Sequence, residues 1–371
     1  MKIVINTDQI YLHGGIEKVL SIKANYWAKL ENVEIIYVTT EQKNQLSCYP
    51  LDDRIQIIDL GVNYNRDKSY FSTENILKAI KHYLLQKKLF KKIKPNVIIS
   101  PNFNFDHFWL PFIKNNAKLL KELHGSRFYE NEARKVSSFF GKIKFKINDW
   151  IYSKYDNVIV LNDDEKEFIY SSNAVVIPNP IEPQTIRAQL YNTKVIAAGR
   201  ISPVKGFDHL IKAWSIVNKT FPLWELHIYG KDYLKTEEKL KQLIFDHRLE
   251  NVVHFMGSID NITEKMAEYS LYAMTSQTEC FPMVLLEALS VGLPVVSYNC
   301  PTGPRNIVKD KIDSLLVSNQ DINIFADSLM MLMDNLAERK KMGNSAKKNY
   351  IRFTTAEVMK KWQSLLNLSD V

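Results

Sequence analysis

The stretch Thr193–Gly230, TKVIAAGRISPVKGFDHLIKAWSIVNKTFPLWELHIYG, decides the fold. Thr193–Gly199 is an apolar run closed by glycine, and Trp224–Gly230 is another. Between them Gly206–Asn218 places apolar residues at helical spacing. Strand, helix, strand is the repeating unit of a parallel sheet covered by helices. Downstream the alternation continues, with helices expected over Thr236–His247, Asn261–Tyr269 and Phe281–Val291. Strands are expected at Asn251–Met256, Leu271–Thr275 and Pro294–Tyr298, and Asp321–Leu368 reads as mostly helical.

Upstream, Lys2–Asn6, Val33–Thr39, Ile55–Leu60, Asn96–Ser100, Lys118–Leu123, Asn157–Leu161 and Ala174–Ile177 read as strands with helical patterns between most of them. Pro178–Gln184 (PNPIEPQ) holds three prolines in seven residues, which disfavours helix or central strand and marks a linker. The reading is therefore α/β: two doubly wound, Rossmann-like domains in series around a central cleft. Domain limits are expected at 1–180 and 185–350, with 351–371 as a terminal helix packed back on the first domain. Ligands of such sheets bind beyond the carboxyl ends of the strands.

Length and composition narrow the function. With 371 residues, 46% of them hydrophobic, the chain can build two cored domains; a disordered tail, a collagen and a disulfide scaffold are excluded. Three cysteines without metal-like spacing read as reduced thiols. The opening MKIVINTDQ is too short in apolar residues for a secretory signal, and no window resembles a membrane span, so a cytoplasmic protein is expected. The net charge of +8 is unevenly spread. Residues 78–94 hold seven lysines and no acid, with Ile76, Leu77, Ile80, Leu84, Leu85, Leu89 and Ile93 at helical spacing. Residues 134–146 (RKVSSFFGKIKFK) are basic and aromatic. Two readings follow: a core-facing helix with a solvated lysine face, or a surface resting on anionic lipid at the inner face of the cell membrane. No nucleic-acid module accompanies the charge, so nucleic acid is not expected as a partner.

Three segments carry chemistry. His13-Gly14-Gly15-Ile16 follows the first strand and opens a helix, where Gly14 and Gly15 would admit a ligand to the backbone. Arg200 and Lys205 stand five residues apart across a strand-to-helix loop, a spacing that suits a diphosphate. In ECFPMVLLEAL, Pro282 fits the first turn of a helix. Glu279 then lies on the loop before it, the amides of Met283 and Val284 are open to an anion, and Glu287 lies within the helix.

These residues resemble the family 4 glycosyltransferases of GT-B fold. The marks are the E-x7-E pair Glu279 and Glu287, the GR-x4-K segment at Arg200 and Lys205, and the GGIEKV loop. Pro301–Arg305 (PTGPR) is similar to the subset that builds bacterial surface polysaccharides and lipid-linked oligosaccharides. The resemblance implies that Arg200, Lys205 and the Met283 and Val284 amides hold the donor diphosphate. It implies that Glu287 binds the ribose, that Glu279 faces the transferred sugar, and that His124 is a histidine near the donor sugar. Cys280 stands where the family loop has glycine.

The expected reaction is retaining hexosyl transfer from a nucleotide sugar, uridine diphosphate first and guanosine diphosphate second, to a glycan or lipid-linked acceptor. No cofactor is expected, and no metal, since no D-x-D triplet occurs. The competing readings are a non-catalytic nucleotide- or membrane-binding scaffold and an epimerase of the same fold.

Overall fold

The computed structural model describes residues 1–368. The chain divides into unit 1, Met1–Pro180 with the segment that starts at Thr355, and unit 2, Ile181–Thr354. Ser369–Val371, the end of the expected terminal segment, lie outside the described residues.

Unit 1 holds β1 (Lys2–Thr7), β2 (Glu34–Thr39), β3 (Gln56–Asp59), β4 (Val97–Ser100), β5 (Lys118–Glu122), β6 (Asn157–Val160) and β7 (Ala174–Val176), all parallel in the order β3-β2-β1-β4-β5-β6-β7. Unit 2 holds β8 (Lys194–Ala198), β9 (Glu225–Tyr229), β10 (Val253–Phe255), β11 (Leu271–Met274), β12 (Val295–Tyr298) and β13 (Ser314–Val317), all parallel in the order β10-β9-β8-β11-β12-β13. Central strands such as β4 (VIIS) are buried at every residue, as a sheet covered on both faces requires. Strand order reverses between β1 and β4 in one unit and between β8 and β11 in the other. At such a switch point the flanking loops diverge and leave a crevice at the carboxyl ends.

The terminal helix Thr355–Leu366 belongs to the core of unit 1. Val358, Met359, Trp362 and Leu366 share a cluster with Ile3, Ile5 and Trp27, and the Trp27 and Trp362 rings meet edge to face at 5.6 Å. Burying each of these side chains stabilises the unit by about 1.5–3 kcal/mol. Unit 2 begins at Ile181, inside the proline-rich segment, where the Ile181 N–H donates to the Phe353 carbonyl at 2.9 Å.

The helix Thr73–Ile93 corrects the core-facing reading of the first lysine-rich stretch in part: Leu89 and Ile93 pack against the core of unit 1, but the first half of the apolar stripe does not. Its buried face is Asn75, Ala79, His82, Gln86 and Phe90, while Ile76, Leu77, Ile80 and Leu84 are exposed. Polar residues win the interior because each finds a partner there. Gln86 donates to Asn6 at 2.8 Å and accepts from the Trp109 indole at 2.7 Å; Asn75 donates to the Asn65 and Ser69 carbonyls at 3.0 Å; His82 meets the Tyr64 hydroxyl at 3.0 Å. The second basic stretch runs across two helices, Phe128–Lys135 and Phe139–Tyr152, that the sequence pattern does not announce, and β13 is likewise an addition.

Candidate active site

In unit 2 the strand β8 ends at Gly199, and Arg200 follows with its exposed guanidinium over the Tyr233 ring, 4.8 Å from the centroid. Pro203–Lys205 forms a single 3-10 turn, and Gly206 in the left-handed region (φ 63°) precedes the helix Phe207–Thr220. A Cβ on Gly206 would lie 2.1 Å from the Thr275 carbonyl oxygen, so only glycine lets the β8 loop press against the end of β11. The Thr275 hydroxyl fixes that contact by donating to the Gly206 carbonyl at 2.8 Å.

The close approach brings Lys205 to Glu279: Nζ donates to Oε1 at 2.6 Å across 74 residues of sequence. Glu279 is itself pinned by its backbone. Its N–H donates to the Pro301 carbonyl at 2.8 Å, and its carbonyl accepts from Thr302 and Gly303 at 2.6 and 2.7 Å. A Cβ on Gly303 would stand 2.6 Å from Pro282 Cδ, so the PTGPR loop lies tight under the ECFP loop.

The helix spans Met283–Ser290 rather than starting at Phe281. Pro282 is extended (φ −68°, ψ 107°) and sits just outside it as the cap residue, a place its missing N–H and fixed φ suit. No side chain caps this end, so the half-buried Met283 and Val284 present first-turn amides there. Glu287, one turn inside, is buried. Burial holds the Tyr272 phenol on β11 far above its usual pKa, with the charges of Glu279 and Glu287 adding to it. Burial also pushes the Cys300 thiol up to about 12, so it stays neutral.

In unit 1 a cavity of about 980 Å³ opens beyond β1, β4 and β5, lined by Gln9, Glu17, Lys121, His124, Arg127 and Phe140 among others. Gly14 caps the helix Gly15–Ala28 in extended conformation, and a Cβ on it would meet the Glu17 carboxylate at 2.3 Å. Beside Gly15 there is open space, so of the two glycines only Gly15 leaves its backbone approachable. Burial raises the Glu17 carboxyl pKa, and Glu17 accepts from Gln9 at 2.8 Å. His124 follows β5 with its ring almost fully buried, Nε2 3.6 Å from Glu122 Oε1. Glu122 is paired with Lys23, also fully buried. Burial alone would raise the Glu122 carboxyl, yet Lys23 and His124 hold it down to about 2.

The motifs missed this buried charge. Lys121, fully buried and lowered to about 8 by burial, and Arg127, which donates to the Tyr152 hydroxyl at 2.9 Å, both line the cavity. The available signal was the pair Lys121-Glu122 inside a strand that has to be buried on both faces.

Residues 181–349 match the family model of glycosyl transferases group 1. A protein of Haemophilus influenzae described as an uncharacterized glycosyltransferase is 25% identical over 95% of this chain and 96% of its own length. The amylovoran biosynthesis glycosyltransferase AmsD of Erwinia amylovora is 30% identical over 62% of this chain and 68% of its own. The poly(ribitol-phosphate) alpha-N-acetylglucosaminyltransferase of Staphylococcus aureus is 26% identical over 79% and 59%. Among solved structures, the pneumococcal O-GlcNAc transferase GtfA in complex with UDP and GlcNAc superposes with a TM-score of 0.78 at 15% identity, covering 98% of both chains. Anabaena Alr3699/HepE in complex with UDP-glucose gives 0.76 at 17%, covering 98% of this chain and 99% of that one. The fold they share with this chain is GT-B.

Proposed function

The chain belongs to the group 1 glycosyl transferases, and from that premise we propose that it transfers a hexose from a nucleotide sugar, with retention and without a divalent ion. The single observation that carries the donor assignment is the Lys205–Glu279 contact at 2.6 Å beside an uncapped helix start. It gathers a cation, a carboxylate and free amides at the switch point of one sheet, the place where such folds hold phosphates. Arg200, Lys205 and the amides of Met283 and Val284 bind the diphosphate; Glu287 takes the ribose hydroxyls; Glu279 faces the sugar. These are the roles of the family 4 enzymes that the motifs resemble. UDP is the first choice of nucleotide because structural neighbours carry UDP in their complexes, with GDP second.

In the reaction the bond from the anomeric carbon to the leaving phosphate oxygen breaks while the acceptor hydroxyl oxygen bonds to that carbon on the same face. The acceptor proton passes to the departing phosphate, and the Arg200 and Lys205 charges stabilise the negative charge that grows there. His124 contributes from the floor of the unit 1 cavity, and Gly15, with Gly14 behind it, leaves room for the acceptor. Unaltered turnover in EDTA is the expected result; loss of turnover restored by manganese would refute metal independence.

The acceptor is a glycan or lipid-linked precursor of a cell-surface polymer, at the cytoplasmic face of the membrane. Supporting this are the names of two relatives, an amylovoran biosynthesis glycosyltransferase and a poly(ribitol-phosphate) alpha-N-acetylglucosaminyltransferase. Among the described residues no helix is long and apolar enough to cross a membrane. Peripheral contact through residues 78–94 and 134–146 is supported by the outward Leu77, Ile80 and Leu84, and by exposed Phe139, Phe140 and Trp150 among lysines. A thermal-shift panel of nucleotide sugars tests the donor. The true donor raises the melting temperature of the wild type and not of Lys205→Ala; a shift that survives the substitution refutes the phosphate assignment.

A further inference from the structure

The edge of the unit 2 sheet carries a cluster that the transfer chemistry does not use. Glu225 and His227 lie on β9 two residues apart, and therefore on one face, while Leu226 and Ile228 point into the core on the other. His254, on the three-residue edge strand β10, is the register partner of His227. One ligand atom from each of the three lies within 4.8 Å of the other two. In a tetrahedral zinc site, with bonds of about 2.0–2.2 Å, donor atoms stand about 3.4 Å apart, so small side-chain rotations close the gap.

The surroundings fit a ligand set better than a simple ion pair. His227 is buried, and its Nδ1 meets the Tyr269 hydroxyl at 2.8 Å, which in turn meets the Tyr229 hydroxyl at 3.0 Å. In the metal-free chain Nε2–H donates to Glu225 Oε2 at 2.8 Å and Nδ1 accepts from Tyr269. A metal at Nε2 would displace that proton, and Nδ1–H would then donate to Tyr269 and Tyr269 on to Tyr229. An outer hydrogen bond that fixes tautomer and ring orientation is the usual companion of a ligating histidine. The ring of His254 stands edge-on to His227 at 5.5 Å, and the Glu225 carboxylate is 40% exposed, which leaves an entry path. Lys194, the register partner of Glu225 on β8, sets a positive charge on the same face and tempers affinity.

We propose that Glu225, His227 and His254 form a zinc-class site that fastens the edge strand β10 to β9. Two imidazoles and one carboxylate suit zinc rather than magnesium or calcium, and water would complete the coordination. The role is structural. Glu225 opens β9, whereas Arg200 and Lys205 follow the opposite, carboxyl end of the neighbouring parallel strand.

The test uses the full chain stripped with a chelator and then given zinc chloride. Wild-type protein is expected to bind one zinc per chain and, at about a hundredfold excess over its dissociation constant, to melt about 5–10 °C higher. His254→Gln and Glu225→Gln, both at partly exposed side chains, should lose binding and shift together, while His247→Ala, at an exposed histidine outside the cluster, keeps them. Donor turnover at a temperature where all variants are folded should be the same with and without zinc. No zinc bound by the wild type at micromolar concentrations, or a shift that survives His254→Gln, would overturn the proposal.

Discussion

The two units place their charges differently around the same kind of switch point. In unit 2 Arg200, Lys205 and Glu279 stand on loops beyond the strands, partly open to water, and are aligned by glycine-dependent backbone contacts such as Gly206 on Thr275, with only Glu287 buried in a helix. In unit 1 the charges are inside: Lys23, Lys121 and Glu122 are fully buried beneath the cavity. Loop charges beside glycines remain available to a soluble anionic ligand. Buried charges satisfy one another and fix the walls of a site, at the cost of desolvation. On the proposed reading, unit 2 exchanges a charged ligand, while unit 1 holds a shaped cavity.

The sharpest test of that contrast is Glu122→Gln, which leaves Lys23 buried without its counter-charge. A loss of about 3–5 kcal/mol in stability is expected from chemical denaturation. Because the folded-state pKa of Glu122 is depressed, its stabilisation is present at neutral pH and is lost as pH falls from about 4.5 to about 2. The variant should lack that part of the acid transition; an unchanged acid limb would mean that the pair does not govern it. Next in size is Lys205→Ala, for which turnover should fall about 10²–10³-fold with the fold intact, since a partly exposed lysine contributes to charge stabilisation and little to the core. A large drop in melting temperature instead would make unit 2 resemble unit 1.

Gly206→Ala probes the backbone contact directly. The added methyl collides with a carbonyl at a left-handed position, so a loss of about 1–3 kcal/mol is expected, with weaker donor binding, measured by calorimetry and titration. Smallest is Leu77→Ser with Leu84→Ser on the outward face of the helix Thr73–Ile93. Stability should move by no more than about 0.5 kcal/mol per site, while flotation with anionic liposomes should fall. Flotation indifferent to the substitutions would remove this face from the membrane reading.

The contrast also explains what could be read in advance. The loops of unit 2 were legible because their geometry is local: a glycine after a strand, a lysine before a helix and a proline at a helix entry each carry their meaning within a few residues. Pro282 shows the margin of error, lying one position outside the helix it announces. Unit 1 was less legible. In the helix Thr73–Ile93 the first half of the apolar stripe (Ile76, Leu77, Ile80, Leu84) lies outward, because Asn6 and Trp109, remote in the chain, offer partners to its polar face, while Leu89 and Ile93 pack on the core. The helices at Phe128–Lys135 and Phe139–Tyr152 lacked a clear pattern because their apolar residues do not all face a core; Phe139 and Phe140 are exposed.

By itself the sequence determined the class of fold, since alternating strand and helix periods leave a parallel sheet as the economical way to bury both faces of each strand. It also determined which loops carry Arg200, Lys205 and Glu279 and which helix carries Glu287, because strand ends and helix entries are local features. Tertiary structure alone decided that Lys205 touches Glu279, that Lys23 neutralises Glu122 beneath His124, and that two histidines and a glutamate converge at a sheet edge. Each of these contacts joins side chains from different elements. Their distance is set by strand register and helix packing, quantities that no spacing along the chain encodes.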